Sequence, residues 1–146
     1  MTGNRAKGRF GEQAAADLLV SKGYRIVKRN YYTQSGEIDI IAENGKVIVF
    51  CEVKARRNDG SSLQYGRPAS AVGKRKQESI AETAQTYLFE HPSKLMPRLD
   101  VIEIYFSTFT DIEGGVWYAV DKTEHFENAF FASSRSRFGQ RDRRLL

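Results

Sequence analysis

The chain has 146 residues and a formal net charge of +5, which suits one domain with a substantial core and favours polyanionic partners such as nucleic acid. Its single cysteine, Cys51, excludes an intrachain disulfide and a zinc site built from several thiolates. Because no apolar run reaches transmembrane length and residues 1–10 lack the apolar core of a signal peptide, we expect a cytoplasmic protein that does not bind membranes.

The spacing of apolar and turn residues predicts one α/β domain over residues 1–131 and a basic tail over residues 132–146. The tail contains five arginines and is expected to be disordered. In chain order the predicted elements are a helix over 6–22, a strand over 24–32, hairpin strands over 37–41 and 49–54, a loop over 56–69, a helix over 68–90, strands over 99–106 and 116–120, and a short helix over 125–131. This order is typical of a mixed β-sheet flanked by helices.

The first predicted helix carries its apolar stripe through Phe10 and Leu18, and Gly23 is placed to end it in the left-handed conformation. Glu12 borders this stripe, one turn after Gly8. Small neighbours would let the helix lie close to the sheet, so Glu12 is a candidate to reach acidic side chains on the strands. The alternative for Glu12 is an ordinary solvated glutamate.

The second and third strands form a predicted hairpin around Asn44-Gly45, the strongest short-range signal for a tight turn. A two-residue loop there places Asp39 opposite Phe50 and Glu37 opposite Glu52. Since side chains alternate between the faces of a strand, four charged residues then share one face near the open end of the hairpin. These are Glu37, Asp39, Glu52 and Lys54, whereas the other face is apolar, with Ile38, Ile40, Ala42, Val47, Val49, Cys51 and Val53.

The shared charged face suggests a site for a cation. Directly opposed acids such as Glu37 and Glu52 disfavour strand pairing, and a bound cation would relieve their repulsion. Carboxylate oxygens are the ligands that a hard divalent cation such as Mg²⁺ takes in proteins. The alternative is an ordinary half-exposed antiparallel hairpin, which also alternates charged and aliphatic residues.

Basic residues after the hairpin are candidates for contacts with a nucleic-acid backbone. Arg56 and Arg57 follow the charged face directly, and Tyr65 in the predicted loop could stack on an unpaired base. A basic run near the start of the second helix lies where free backbone amides also favour phosphate. This run is Lys74, Arg75 and Lys76. The alternative for each residue is a solvated side chain. His91 and His125 show no metal-ligand spacing and are expected to be structural.

Several short motifs, in their order and spacing, resemble a known family. They are Gly8-Arg9-Phe10-Gly11-Glu12, Gly23-Tyr24, Arg29-Asn30, Gly36-Glu37-Ile38-Asp39-Ile40-Ile41, Phe50-Cys51-Glu52-Val53-Lys54, Arg98-Leu99-Asp100-Val101-Ile102 and His125-Phe126-Glu127-Asn128-Ala129-Phe130. Together they make the chain similar to the YraN family and, more broadly, to the PD-(D/E)XK nuclease superfamily and its archaeal Holliday junction resolvases. One departure is Ile38, which stands where the name of the superfamily has a proline.

The resemblance implies a restriction-endonuclease-like fold and a Mg²⁺-dependent nuclease, with Mn²⁺ as a substitute, that hydrolyses DNA with branched or Holliday-junction-like features. By this resemblance, Asp39 and Glu52 would bind the metal together with the backbone carbonyl of Val53. Lys54 would orient the attacking water and stabilise charge on the phosphate, and Glu12 would complete the cluster. A homodimer is also implied, because resolvase relatives make two symmetric cuts.

Two other functions fit the same sequence. The first is a nucleic-acid-binding module that keeps the fold but has no turnover, which the intact set of two acids and a lysine disfavours. The second is a scaffold for a partner protein that uses no nucleic acid, which the basic charge balance disfavours.

Overall fold

The computed structural model describes residues 4–58 and 72–129 of the chain. Within these ranges it contains two helices and five strands, in the order predicted from the sequence. They are α1 (Asn4–Ser21), β1 (Arg25–Thr33), β2 (Gly36–Glu43), β3 (Val47–Arg57), α2 (Lys74–Glu90), β4 (Met96–Thr110) and β5 (Val116–Phe126). Neither helix of this part is long and apolar enough to cross a lipid bilayer. The predicted base-stacking Tyr65 and the predicted tail lie outside the described residues.

The five strands form one mixed sheet in the order β1-β2-β3-β4-β5. β3 and β4 run parallel, and the other neighbouring strands run antiparallel. Parallel strands need a long crossover connection, and α2 lies in the segment that joins β3 to β4. The structure therefore confirms the predicted α/β class, a mixed sheet flanked by helices.

The chain leaves α1 through a left-handed glycine, as the sequence predicted. Gly23 has a φ of 94°. Its N–H donates to the carbonyl of Val20 at 3.0 Å, and the N–H of Tyr24 donates to the carbonyl of Leu19 at 2.9 Å. The two bonds satisfy carbonyls that the end of the helix would leave without partners, and they direct the chain into β1.

α1 lies close to β3 because Gly11 has no side chain. Gly11 is buried, and a Cβ atom there would lie 2.8 Å from the Cβ of Ala55 in β3. From the sequence, Gly8 was a small residue expected to let the helix lie close to the sheet, but a Cβ atom at Gly8 would meet nothing within 4 Å. The close approach at Gly11 brings the next residue, Glu12, towards the sheet.

The two helices pack on opposite faces of the sheet. Neighbouring residues of β3 alternate between two apolar clusters, with Val49 in one and Phe50 in the other. The cluster on the α1 face contains Ala15, Ala16, Leu19, Tyr24, Ile40, Ala42, Val49, Cys51, Ile102 and Ile104. The cluster on the α2 face contains Ile38, Ile41, Ile48, Phe50, Val72, Ile80, Ala81, Ala84, Tyr87, Leu88, Leu99 and Val101.

The β2–β3 hairpin has a register two residues away from the predicted one. Ile41 pairs with Phe50 rather than with Ile48, so four residues, 44–47, instead of two lie between the last pair of the hairpin, Glu43 and Ile48. The side-chain oxygen of Asn44 accepts hydrogen bonds from two backbone N–H groups of this connection, each at 2.9 Å, and so stabilises the longer turn. Because the shift is an even number of residues, Glu52 keeps the face that alternation predicted.

Strict alternation fails around Asp39. The sequence placed Ile38 and Ile40 on one face, but Ile38 packs with Ile41 on the α2 face and Ile40 packs on the α1 face. Beside this point of the ladder, Asn30 of β1 has a positive φ of 55°, which is unusual inside a strand. Asp39 therefore lies at the point where the alternation between faces is interrupted.

β5 continues to Phe126 and takes the place of the first part of the short helix predicted over residues 125–131. Phe126 pairs with Val101 of β4. The Nε2 atom of His125 lies 2.7 Å from Oδ2 of Asp100. These contacts with distant residues hold 125 and 126 in the sheet, so the helix prediction is wrong there, and residues 130 and 131 lie outside the described part.

Candidate active site

Asp39 binds β3 through its side chain at the point where the pairing of β2 with β3 ends. The last paired residues are Ile40 and Cys51. Beyond them, the Oδ2 atom of Asp39 accepts a hydrogen bond of 2.8 Å from the backbone N–H of Val53. This bond holds the Asp39 carboxylate beside the segment of β3 that carries Glu52.

Glu52 is buried and lies near two amines. The Nζ atom of Lys54 is 3.3 Å from Oε2 of Glu52. From α2, the Nζ atom of Lys76 is 3.9 Å from the same oxygen. Lys76 was predicted as a contact to a nucleic-acid backbone, and the structure places its amine beside Glu52.

Asp39 carries an unusually high pKa. Burial of the carboxyl and the negative charge of Glu52 raise its pKa to about 7, and the hydrogen bond from Val53 only partly opposes this. Glu12 and Glu37 add further repulsion. A group of acids that disfavour each other's charged forms is one to which a divalent cation would be attracted.

Glu12 approaches the same acids from α1. Burial raises the pKa of Glu12, and the negative charges of Glu37 and Glu52 raise it further. A hydrogen bond with the side chain of Asn30 lowers it. Asn30 is a residue whose role the sequence did not reveal. The available signal was chemical, because asparagine tolerates the left-handed conformation better than other residues with a side chain.

Glu37 does not face Glu52 across the hairpin, because the two-residue shift in register separates them. Glu37 pairs instead with Tyr32 of β1. Interaction of the Tyr32 hydroxyl with the carboxylate of Glu37 raises the pKa of Tyr32. The exposed Tyr32 is a second residue near the site that sequence reasoning missed.

The donor set fits a divalent cation that also binds water and substrate. In the described part of the chain, no three Asp, Glu, His or Cys side chains are arranged to hold a metal ion by themselves. Mg²⁺ usually takes only one or two protein carboxylates and completes its coordination with water and phosphate oxygens. Asp39 and Glu52, which are mutually repelling, match this need. Val53, whose carbonyl the resemblance assigns as a third ligand, lies at the same point of β3.

The arginines predicted to contact a nucleic-acid backbone lie within β3, not in the loop that follows it. The Nη1 atom of Arg57 donates to Oγ1 of Thr108 at 3.0 Å. The Nε atom of Arg56 lies 3.5 Å from Oε2 of Glu103. Two further candidates, Lys74 and Arg75, are exposed in the first turn of α2.

Comparison with known proteins places the chain among relatives that share most of its length. Residues 11–104 match a family described as "Uncharacterised protein family UPF0102". A UPF0102 protein of Symbiobacterium thermophilum is 47% identical over 102 residues, which cover 69% of this chain and 83% of the relative. A UPF0102 protein of Trichlorobacter lovleyi is 39% identical over 130 residues, which cover 88% of this chain and 92% of the relative. The chain therefore belongs to the UPF0102 family.

Proposed function

We propose that this protein is a metal-dependent nuclease of the PD-(D/E)XK superfamily that hydrolyses phosphodiester bonds of DNA. The observation that carries the proposal is the hydrogen bond from Val53 to Asp39, because it holds this half-buried acid beside the buried acid Glu52. Lys54 lies 3.3 Å from that second acid. Two carboxylates and an ammonium group at one point are the groups needed to bind a divalent cation next to an anionic substrate.

Each residue has a distinct task in this chemistry. Asp39 and Glu52 hold the cation, which in the bound state neutralises the phosphodiester and lowers the pKa of water. The ammonium group of Lys54 stabilises the negative charge that develops on the phosphate. Glu12 adds a further carboxylate from α1 and thereby strengthens the attraction for a divalent cation.

The substrate proposed is DNA with branched features, and the exposed basic residues support a polyanionic partner. Lys74 and Arg75 are exposed at the beginning of α2, where backbone N–H groups also favour phosphate. The next residue of that turn, Lys76, lies 3.9 Å from Glu52. The beginning of α2 therefore extends from the acidic residues to a basic surface over which a nucleic-acid strand can pass.

The decisive experiment is a cleavage panel of branched, flapped, single-stranded and duplex DNA in Mg²⁺ or Mn²⁺. We expect Asp39→Ala and Glu52→Ala each to lower cleavage by about 100-fold or more, the magnitude of losing a group that stabilises the transition state. Glu82→Gln, which removes an exposed acid of α2, is the matched control and should cleave normally. Cleavage that survives both alanine changes and excess chelator would contradict the proposal.

A second candidate is a nucleic-acid-binding module without turnover. The observation that favours it is the presence of both Lys54 and Lys76 within 4 Å of Glu52, because two amines can neutralise this acid without a metal. Such a module binds DNA with a logarithmic affinity that falls by about 0.9 per duplex phosphate contacted for each tenfold rise in salt. Salt-dependent binding with no cleavage of any DNA in the panel would favour this candidate.

A further inference from the structure

Glu103 of β4 is a fully buried acid to which the proposed chemistry gives no task. Its exposed fraction is 0%, and it pairs with Lys54 in the parallel ladder of β3 and β4. Its Oε1 atom accepts a hydrogen bond of 2.7 Å from the hydroxyl of Tyr105. Its Oε2 atom has no hydrogen-bond partner among the residues that the structure describes. A buried carboxylate oxygen in this state destabilises the fold and calls for an explanation.

The cation facing this oxygen is Arg56. The Nε atom of Arg56 lies 3.5 Å from Oε2 of Glu103. This nitrogen is also buried and has no hydrogen-bond partner within the described ranges. The two groups therefore attract each other by charge without forming a hydrogen bond, and the attraction acts on the Nε edge of the guanidinium group.

The orientation of the guanidinium group follows from its planar shape. When the Nε edge faces Glu103, an edge with two further N–H donors faces away from it. The Arg56 side chain is 24% exposed, so part of it reaches the surface. Lys54 lies two residues earlier, on the same face of β3 and about 7 Å away along the strand. The buried acid thus orients an arginine beside the lysine of the proposed site.

We propose that Glu103 is a positioning residue, which orients Arg56 so that its outer edge binds a backbone phosphate of DNA next to the phosphate contacted by Lys54. Guanidinium groups bind phosphate through two parallel hydrogen bonds when their orientation is set. The hydroxyl of Tyr105 holds the Glu103 carboxylate, which itself does not touch DNA. This role rests on the proposed function, because that function assigns Lys54 to the substrate phosphate.

The test is DNA binding by Glu103→Gln, measured in the non-cleaving Asp39→Asn background. Glutamine keeps the shape of the side chain and an oxygen for Tyr105, but it removes the charge that orients Arg56. We expect binding to weaken by about threefold to tenfold, with a correspondingly lower slope of affinity against salt. Loss of a negative charge would by itself strengthen DNA binding, so unchanged or tighter binding overturns the positioning role.

A double-mutant cycle connects this effect to the arginine. Arg56→Gln should weaken binding about as much as Glu103→Gln, and the combined variant should lose little more, because the two residues act as a unit. Fully additive losses overturn the positioning role. Glu82→Gln is the matched control, since it removes one negative charge from an exposed residue of α2, and its DNA binding should not weaken.

A further variant keeps the test valid if Glu103→Gln misfolds. Arg56→Lys keeps the positive charge but loses the planar edge, so it should bind DNA as weakly as Arg56→Gln, whereas wild-type binding by Arg56→Lys overturns the role.

DNA cleavage by the wild-type protein separates the positioning role from the nuclease function. If Glu103 and Arg56 are coupled in DNA binding but the protein without the Asp39→Asn change cleaves no DNA of the panel, the positioning role stands and the nuclease function is overturned. Normal cleavage and binding by Glu103→Gln removes the positioning role alone.

Discussion

Two aspartates lie on strands of the same sheet, Asp39 of β2 and Asp100 of β4, and their pKa values shift in opposite directions. Asp100 accepts two hydrogen bonds of 2.9 Å from Arg98 and one of 2.9 Å from the backbone N–H of Asn128. The Nε2 atom of His125 lies 2.7 Å from its Oδ2. Burial by itself would raise the pKa of Asp100, but the hydrogen bonds from His125, Arg98 and Asn128 lower it.

At Asp39 the influences that raise the pKa outweigh the hydrogen bond that lowers it. One backbone N–H, that of Val53, donates to its carboxylate, but burial and the negative charges of the neighbouring acids outweigh this bond and raise its pKa to about 7. Arg98 and His125 offset the negative charge of Asp100, whereas no cation in the described fold lowers the pKa of Asp39 in this way. The comparison teaches that the groups around a buried acid, and not its burial alone, decide the direction in which its pKa shifts.

The surroundings of Asp100 explain its structural task. His125 also lies 2.9 Å from Nζ of Lys22, through its Nδ1 atom. A lysine ammonium can only donate, so Nδ1 accepts and the Nε2–H group of His125 donates to Asp100. The chain of contacts connects the end of α1 to β4 and β5. These contacts agree with the expectation that His125 is structural.

The largest effect is expected from removing the charge of Asp100. Asp100→Asn leaves Arg98 in a partly buried position without its carboxylate, and breaking such a pair typically destabilises a protein by about 3 kcal/mol or more. The free energy of unfolding, measured in urea, should fall by that amount. A loss below about 1 kcal/mol would mean that Asp100 is not the structural counterpart of Asp39.

The matched change at Asp39 should raise the free energy of unfolding instead of lowering it. Its folded pKa of about 7 exceeds the ordinary 3.8, so the folded state binds the proton more tightly and wild-type stability falls as pH rises from about 4 to about 7. Asp39→Asn removes this penalty. We expect it to raise the free energy of unfolding at pH 8 by about 1–3 kcal/mol, which is less than about 1.4 kcal/mol for each pKa unit because Asp39 is half-buried and solvent screens its charge. Urea unfolding at pH 4 should show no gain, and a loss of stability at pH 8 would contradict the raised pKa.

The smallest expected effect on stability is that of adding Mg²⁺. If Mg²⁺ binds with a Kd near 1 mM, 10 mM Mg²⁺ should stabilise the folded protein by about 1.4 kcal/mol and raise the thermal midpoint by about 4 °C. Na⁺ at equal ionic strength is the control for screening. The rise should disappear in Asp39→Asn and persist in Asp100→Asn. An equal rise in all three proteins would place the ion elsewhere.

Local sequence was sufficient for several features of the fold and site. Apolar spacing and Gly23 predicted α1 and its end, because helical periodicity and the left-handed cap depend on neighbouring residues. Alternation placed Phe50 and Glu52 on one face of β3, and this survived a wrong register because the shift was even. The common face of Glu52 and Lys54 therefore followed from the sequence, whereas the positions of Asp39 and Glu37 relative to them did not.

Contacts between distant parts of the chain decided the rest. Asn44 stabilised a four-residue turn through its side chain, and β4 held β5 in the sheet where a helix was expected. The bond from Val53 to Asp39 and the pairing of Glu103 with Arg56 join different strands. Local propensity contains no information about which distant groups meet, because their meeting depends on how whole strands and helices pack and on which buried charges find partners.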